Sequence, residues 1–158
     1  MTKRLQEELK QTRPFGSDEE VAYLLLVKAA HELSAEFEAL FGRDGITFQQ
    51  YNVLRILRGA PTEGLPVREI ADRLITKDPD VTRLVDRLEQ RGLAERQRSV
   101  SDRRVVRVRI TGPGGKLVDG LDESVNELHR AQLKHLTPVQ LQNLIGLLGE
   151  VRSTRSNP

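Results

Sequence analysis

The residues best equipped for chemistry in this chain are its arginines. Arg83, Arg87, Arg91, Arg96, Arg98, Arg103, Arg104, Arg107 and Arg109 fall in one stretch with only four acids, Asp86, Glu89, Glu95 and Asp102. The stretch therefore carries +5 in a chain whose total is +2, which leaves −3 for everything else. A guanidinium is a planar fork of donors that fits phosphate oxygens and the O6/N7 edge of guanine. Because the phosphate backbone dominates nucleic-acid affinity, so concentrated an arginine block has the form of an electrostatic footprint. A solvated helix face is the alternative reading, and charge alone does not separate the two. Thr76, Lys77, Asp80, Thr82 and Arg83 lie just before and within the start of an amphipathic segment. There a threonine can bond a phosphate or pack its methyl on thymine, while an arginine can read guanine.

The elements that would carry these residues are written in the periodicity. Val81, Leu84, Val85 and Leu88 repeat at i, i+3, i+4 and i+7 after Asp78-Pro79, an N-cap followed by a proline at the first helical position, and Gly92 closes the helix. Val67, Ile70, Ala71 and Leu74 repeat the same template just upstream, so two short amphipathic helices stand a few residues apart, as in a helix-turn-helix. Beyond Leu93 the period changes to two. Val106, Val108 and Ile110 alternate with Val105, Arg107 and Arg109, Leu93 to Arg98 supplies a partner strand, and residues 99–103 form a polar hairpin loop. A β-ribbon placed directly after the second helix is a wing.

Upstream, Ser17 with Glu20 and Thr47 with Gln50 have the spacing of capping boxes. They open a long helix to about Leu40, ended by left-handed Gly42 and Gly45, and a shorter one ending before Gly59. Downstream, a helix from the Gly-rich 112–115 stretch reaches about Leu136, and Thr137-Pro138-Val139-Gln140 starts another. That final helix carries Leu141, Leu144, Ile145, Leu147, Leu148 and Val151 around most of its circumference. With the wide apolar surface of the first long helix, it exceeds what a monomer of this length covers, so a second copy of the chain is the expected partner.

Other chemistries lack their residues. The chain has no cysteine, which removes disulfides, thiolate metal sites and thiol switches. His31-Glu32 is followed at the fourth position by Ala35 rather than a second histidine, and His129 and His135 do not share a helical face, so no metal is expected. Gly112 to Lys116 lacks both the leading glycine and the following Ser or Thr of a phosphate loop. No nucleophile elbow or other catalytic constellation is present, so the chain reads as a non-enzyme without a cofactor. The first 14 residues are polar with mixed charge, and no run approaches the roughly 20 apolar residues of a membrane span. A cytoplasmic protein with no membrane partner is expected.

Asp80 to Arg96, DVTRLVDRLEQRGLAER, followed by Ser101 to Thr111, SDRRVVRVRIT, resembles the MarR family of winged-helix transcriptional regulators. The order of elements agrees from Ser17 to Val151. The resemblance implies a mainly α fold with a small β-wing in a single domain over residues 1–158. Its winged helix-turn-helix would span 47–111, with a recognition helix at 79–91 and a wing at 93–110, and residues 17–42 and 112–152 would form the dimerisation helices. It implies a homodimer on double-stranded DNA, a ligand-responsive repressor at a pseudo-palindromic operator. Recognition helices would enter successive major grooves and wing tips the flanking minor grooves. Asp102 would orient Arg104 into the minor groove, with Arg98 and Arg103 near phosphates. Leu141, Leu144, Ile145 and Leu148 would pack the dimer, and a small aromatic or phenolic effector would meet Val27, His31, Phe48 and Tyr51. Two departures are visible: the helix-to-helix turn lacks a glycine, and acidic Asp80 stands where many relatives have a small polar residue.

Overall fold

The computed structural model describes residues 2–76, 80–98 and 105–153. The elements in chain order are α1 (Thr2–Glu8), α2 (Asp18–Gly42), α3 (Phe48–Arg58), β1 (Leu65–Pro66), α4 (Val67–Arg73), α5 (Val81–Gln90), β2 (Ala94–Arg98), β3 (Val106–Ile110), α6 (Gly112–Leu133) and α7 (Pro138–Ser153). The fold is mainly α with a small β-wing, as expected.

Side chains start the helices where the sequence places them. Thr47 and Gln50 form a complete capping box, the Thr47 N–H donating to Gln50 Oε1 at 2.9 Å and the Gln50 N–H to Thr47 Oγ1 at 3.2 Å. Thr137 and Gln140 repeat it at α7. The box expected at Ser17 is shifted. Ser17 Oγ accepts from the Glu20 N–H, but the Glu20 carboxylate accepts from Gly16 rather than from Ser17. The end of α2 also differs, since Gly42 stays helical and Gly45, at φ 67°, alone makes the left-handed turn.

The core gathers one face of every central helix. Phe37 and Phe41 of α2 meet Phe48 and Tyr51 of α3, with the Phe41 and Tyr51 rings stacked at 4.4 Å. Val53, Leu54 and Leu57 of α3, Ile70 of α4, Val81, Val85 and Leu88 of α5, Val108 of β3, and Val118, Leu121 and Val125 of α6 complete it. Burying such side chains at roughly 25 cal/mol per Å² of apolar area is the main force assembling the lobe.

The sheet has the order β1-β3-β2, all antiparallel, with Leu65 opposite Val108 and Ala94 opposite Ile110. β1 lies in a stretch that reads as loop in the sequence. Its two residues carry no periodicity, and their pairing depends on β3, more than 40 residues downstream. The expected apolar face of β3 holds only near the core: Val108 is fully buried, whereas Val106 is 41% exposed where the ribbon leaves the lobe. The hairpin loop expected at 99–103 lies outside the described residues.

α1 also escaped the sequence reading. So short a helix takes its stability from packing rather than from its own hydrogen bonds. Leu5 is buried beside Leu25 and Ala29 of α2, and Glu8 pairs with Lys28 at 3.5 Å.

Two glycines let the backbones close. A Cβ on Gly64, whose φ is +79°, would lie 2.2 Å from the Val108 carbonyl oxygen, and one on Gly114 would lie 2.0 Å from that of Leu93. Gly114 thus lets the start of α6 pack closely on the backbone that leads into the first wing strand. Gly114→Ala should lower the free energy of unfolding by about 1–3 kcal/mol in urea titration, because backbone must move to admit the methyl. Gly120→Ala, on the open side of the same helix, should instead raise it by about 0.5–1 kcal/mol.

Candidate nucleic-acid interface

The α5 helix is divided into three lengthwise faces. At about 100° per residue, Val81, Val85 and Leu88 fall on one side, and all three are buried in the core. Asp86 and Glu89 form a second ridge, turned to β2. Arg83, Arg87 and Gln90 form a third, exposed to solvent. Thr82, exposed at the helix start, lies in line with the second face.

The helix begins later than the Asp78-Pro79 pair suggests. Asp80 is the N-cap: its carboxylate accepts the Arg83 N–H at 3.1 Å and stands 3.7 Å from the Arg83 guanidinium. The recognition helix therefore runs from Val81 to Gln90 instead of 79 to 91. The acid in the binding block has a local cause, satisfying an orphan donor at the first turn.

The arginine block also splits in two. Arg91 donates to the carbonyls of Gly45 and Asp44 at 2.6 and 2.9 Å, pinning the α2–α3 turn. Arg107 donates to the Gly64 carbonyl at 2.9 Å, and Arg109 pairs with Glu95 across the ribbon. Arg96 spans Asp86 and Glu89 of α5, with 2.6 Å to the Glu89 carboxylate. Burial opposes the Arg96 charge, but the hydrogen bonds it gives to Asp86 and Glu89 outweigh that and hold its pKa above the ordinary guanidinium value. Four cations that sequence counting assigns to a footprint are thus held by the protein itself. Arg83 and Arg87 on α5 and Arg98 at the outer end of β2 remain directed at solvent.

Among the expected DNA-facing residues, Thr76, Asp80, Thr82, Arg83 and Arg98 are exposed, Thr76 to Arg83 around the α5 start and Arg98 at the far end of β2. Lys77, Asp102, Arg103 and Arg104 lie outside the described residues. Ile75, beside Thr76 and 65% exposed, is an apolar member of the same turn that no periodicity marks. The residues named for an effector are spread over two environments. Tyr51 is buried in the stacked aromatic cluster, where burial pushes its phenol upward in pKa, and Phe48 is half-buried beside it. Val27 and His31 are exposed on α2. A cavity of about 450 Å³ between α2 and α6 is lined instead by Glu36, Leu40, Arg43, Glu127 and Leu128, among others. Of the residues named for the dimer, Leu141 and Leu144 are half-buried, and Ile145 and Leu148 are exposed.

A polar cluster beside the shared core also joins this lobe to the long helices. Arg58, at the end of α3, reaches Asp119 at 2.9 Å and both oxygens of Asp122 at 2.7 and 3.1 Å on α6. Nothing short of the folded arrangement relates residues so far apart.

Two short helices, α4 and α5, followed at once by a basic ribbon, have the form of a winged helix-turn-helix, a DNA-binding class. The sequence profile of the MarR family matches residues 44–105. A crystal structure of a MarR transcription factor from Planctomyces limnophilus is 42% identical, with a TM-score of 0.66 over 85% of this chain and 98% of that one. The chain belongs to the MarR family of transcriptional regulators, and it is a DNA-binding regulator rather than an enzyme. The homoprotocatechuate degradative operon repressor of Escherichia coli is 26% identical over 127 residues, which are 80% of this chain and 84% of that protein. The S. aureus MepR–DNA complex shares the fold at 23% identity, with a TM-score of 0.76 over 84% of this chain and 96% of that chain.

The cap makes a prediction about Asp80. Asp80→Ala should cost about 1 kcal/mol of stability by leaving the Arg83 N–H unsatisfied. Asp80→Asn keeps an acceptor there while removing a negative charge, so melting should be unchanged and binding to DNA of any sequence tighter. Melting curves and fluorescence anisotropy on a random duplex check both outcomes.

Proposed function

We propose that this regulator is a cytoplasmic homodimeric repressor that binds a pseudo-palindromic operator and responds to a small aromatic or phenolic effector. The observation that carries the dimer is α7. None of its residues is buried, although Val139, Ile145, Leu147 and Val151 are 70, 55, 62 and 53% exposed. Beside it, an apolar groove of about 600 Å³ at the α6–α7 elbow is lined by Leu133, Leu136 and Leu141, and α2 adds exposed Tyr23, Leu26 and Val27. Apolar surface on this scale marks an interface. No helix among the described residues is long and apolar enough to cross a membrane. A two-fold partner covers it and requires inverted half-sites about 10 base pairs apart, so that both recognition helices meet one side of the duplex.

On this reading Thr82 and Arg83 meet base edges, Thr76, Lys77, Arg98 and Arg103 hold phosphates, and Arg104, oriented by Asp102, enters the minor groove. The family membership supports the DNA partner, and the E. coli relative, itself named a repressor, supports the direction of control. The effector reading rests on the family resemblance. His31 and Val27 offer exposed surface on α2, while Phe48, half-buried, and Tyr51, buried, both pack against Phe41.

Light scattering together with footprinting on a DNA site selected from random sequence tests the proposal. A dimer protecting an inverted repeat is expected, and a monomer of about 17.9 kDa or a site without symmetry overturns it. Replacing Leu144 and Leu148 together with Asp should give that monomer and abolish protection. Arg98→Ala should reduce the slope of log affinity against log salt by about 0.9 per subunit. Arg109→Ala, whose guanidinium is held by Glu95, should leave the slope unchanged.

A further inference from the structure

We propose that Arg96 is a positioning residue of the DNA interface: it fixes the rotation of the recognition helix relative to the wing, and thereby sequence discrimination, without touching DNA. The inference rests on the DNA-reading role proposed for α5. Arg96 lies on β2, opposite Val108 of β3, yet among the described residues its guanidinium contacts are to α5. Its Nη1 lies 2.6 Å from Glu89 Oε2, its Nη2 meets the Asp86 carboxylate and reaches toward the Thr82 carbonyl at 3.4 Å, and its own backbone N–H donates to Glu89 Oε1 at 3.0 Å. Thr82, Asp86 and Glu89 are successive members of one ridge, spaced four and three residues apart, so a single guanidinium grips about two turns of helix.

The geometry gives this grip a particular consequence. The opposite constraint on α5 is apolar: Val81, Val85 and Leu88 sit against the core, and apolar contact tolerates small rotations about the helix axis because it is not directional. The fork of Arg96 is directional, and a planar guanidinium bonded to two carboxylates resists such rotation. The exposed ridge of Arg83, Arg87 and Gln90 lies roughly 100° further round the helix, so its aim follows the Arg96 contact. Arg96 itself is poorly placed for phosphate, with its side chain only 24% exposed and both terminal nitrogens engaged.

Simple electrostatics and positioning predict opposite signs for one variant. Asp86→Asn removes a negative charge beside a polyanion, which by charge alone tightens binding to every duplex. Positioning predicts instead that binding to the selected site weakens while binding to a scrambled duplex stays equal or tightens.

The experiment measures anisotropy titrations of the full-length protein on its selected duplex and on a scrambled one, over a salt series, for wild type, Arg96→Met, Arg96→Lys and Asp86→Asn. For Arg96→Met a loss of roughly ten-fold on the selected duplex is expected, with less than about two-fold on the scrambled one and an unchanged salt slope. Arg96→Lys, which keeps charge without the fork, should fail to restore discrimination. Equal losses on both duplexes with a slope reduced by about one would make Arg96 a phosphate ligand and overturn the proposal. So would lowered melting with discrimination intact, rescue by lysine, or tighter binding of Asp86→Asn to both duplexes. If Arg96→Met does not fold, Asp86→Asn and Arg96→Lys decide alone. A wild type that selects no sequence would refute the operator reading separately. Protection of the Arg96 amide from hydrogen exchange, lost in Glu89→Ala, then reports on the clamp without DNA, and absence of that protection overturns it.

Discussion

Everything this lobe presents to DNA depends on the burial of one apolar ridge, Val81, Val85 and Leu88, of which Val85 and Leu88 are wholly inaccessible to solvent. Truncating side chains buried to this degree typically costs about 2–5 kcal/mol, a large part of the stability of a small protein. Once that ridge is held by α3 and α4, the remaining circumference of α5 is assigned. Asp86 and Glu89 must meet the strand that follows, and Arg83, Arg87 and Gln90 must meet solvent. The chemistry of the exposed face is thus a consequence of apolar packing on the opposite one.

The same economy governs charge. An arginine block reads as a uniform positive field, but folding neutralises much of it locally: Glu95 holds Arg109, Asp86 and Glu89 hold Arg96, and backbone carbonyls hold Arg91 and Arg107. Guanidinium groups suit this work because their forks bridge acceptors on separate elements. The cations left facing outward occupy the solvent ridge of α5 and the outer ribbon, the two places where a winged helix meets a duplex.

Arg58 adds polar contacts where the shared core already joins the DNA-binding lobe to the long helices. Its contacts to Asp119 and Asp122 join α3 to α6, and Gln132 Nε2 donates to the Leu33 carbonyl at 2.9 Å to join α6 to α2. At a half-exposed surface such an ion pair contributes no more than about 1 kcal/mol, so its role is geometric more than energetic.

The sequence by itself determined the local elements and their order. Capping pairs such as Thr47 with Gln50, the i, i+3, i+4, i+7 repeats at Val67 and Val81, and the alternation through Val106, Val108 and Ile110 act within a few residues, so they are legible without the tertiary context. The resemblance carried by DVTRLVDRLEQRGLAER brought the family with it. Tertiary structure alone decided what depends on distant partners. β1 exists only because β3 lies beside it, α1 only because α2 offers Leu5 a place to bury, and Asp80 caps α5 because the helix starts later than the Asp78-Pro79 signal suggests. Above all, tertiary structure decided which arginines are spent inside the protein. Arg96 and Arg98 are two residues apart on one strand, with the same side chain and the same charge. In the fold Arg96 lies against the acids of α5, while Arg98, further out along β2, is left in water.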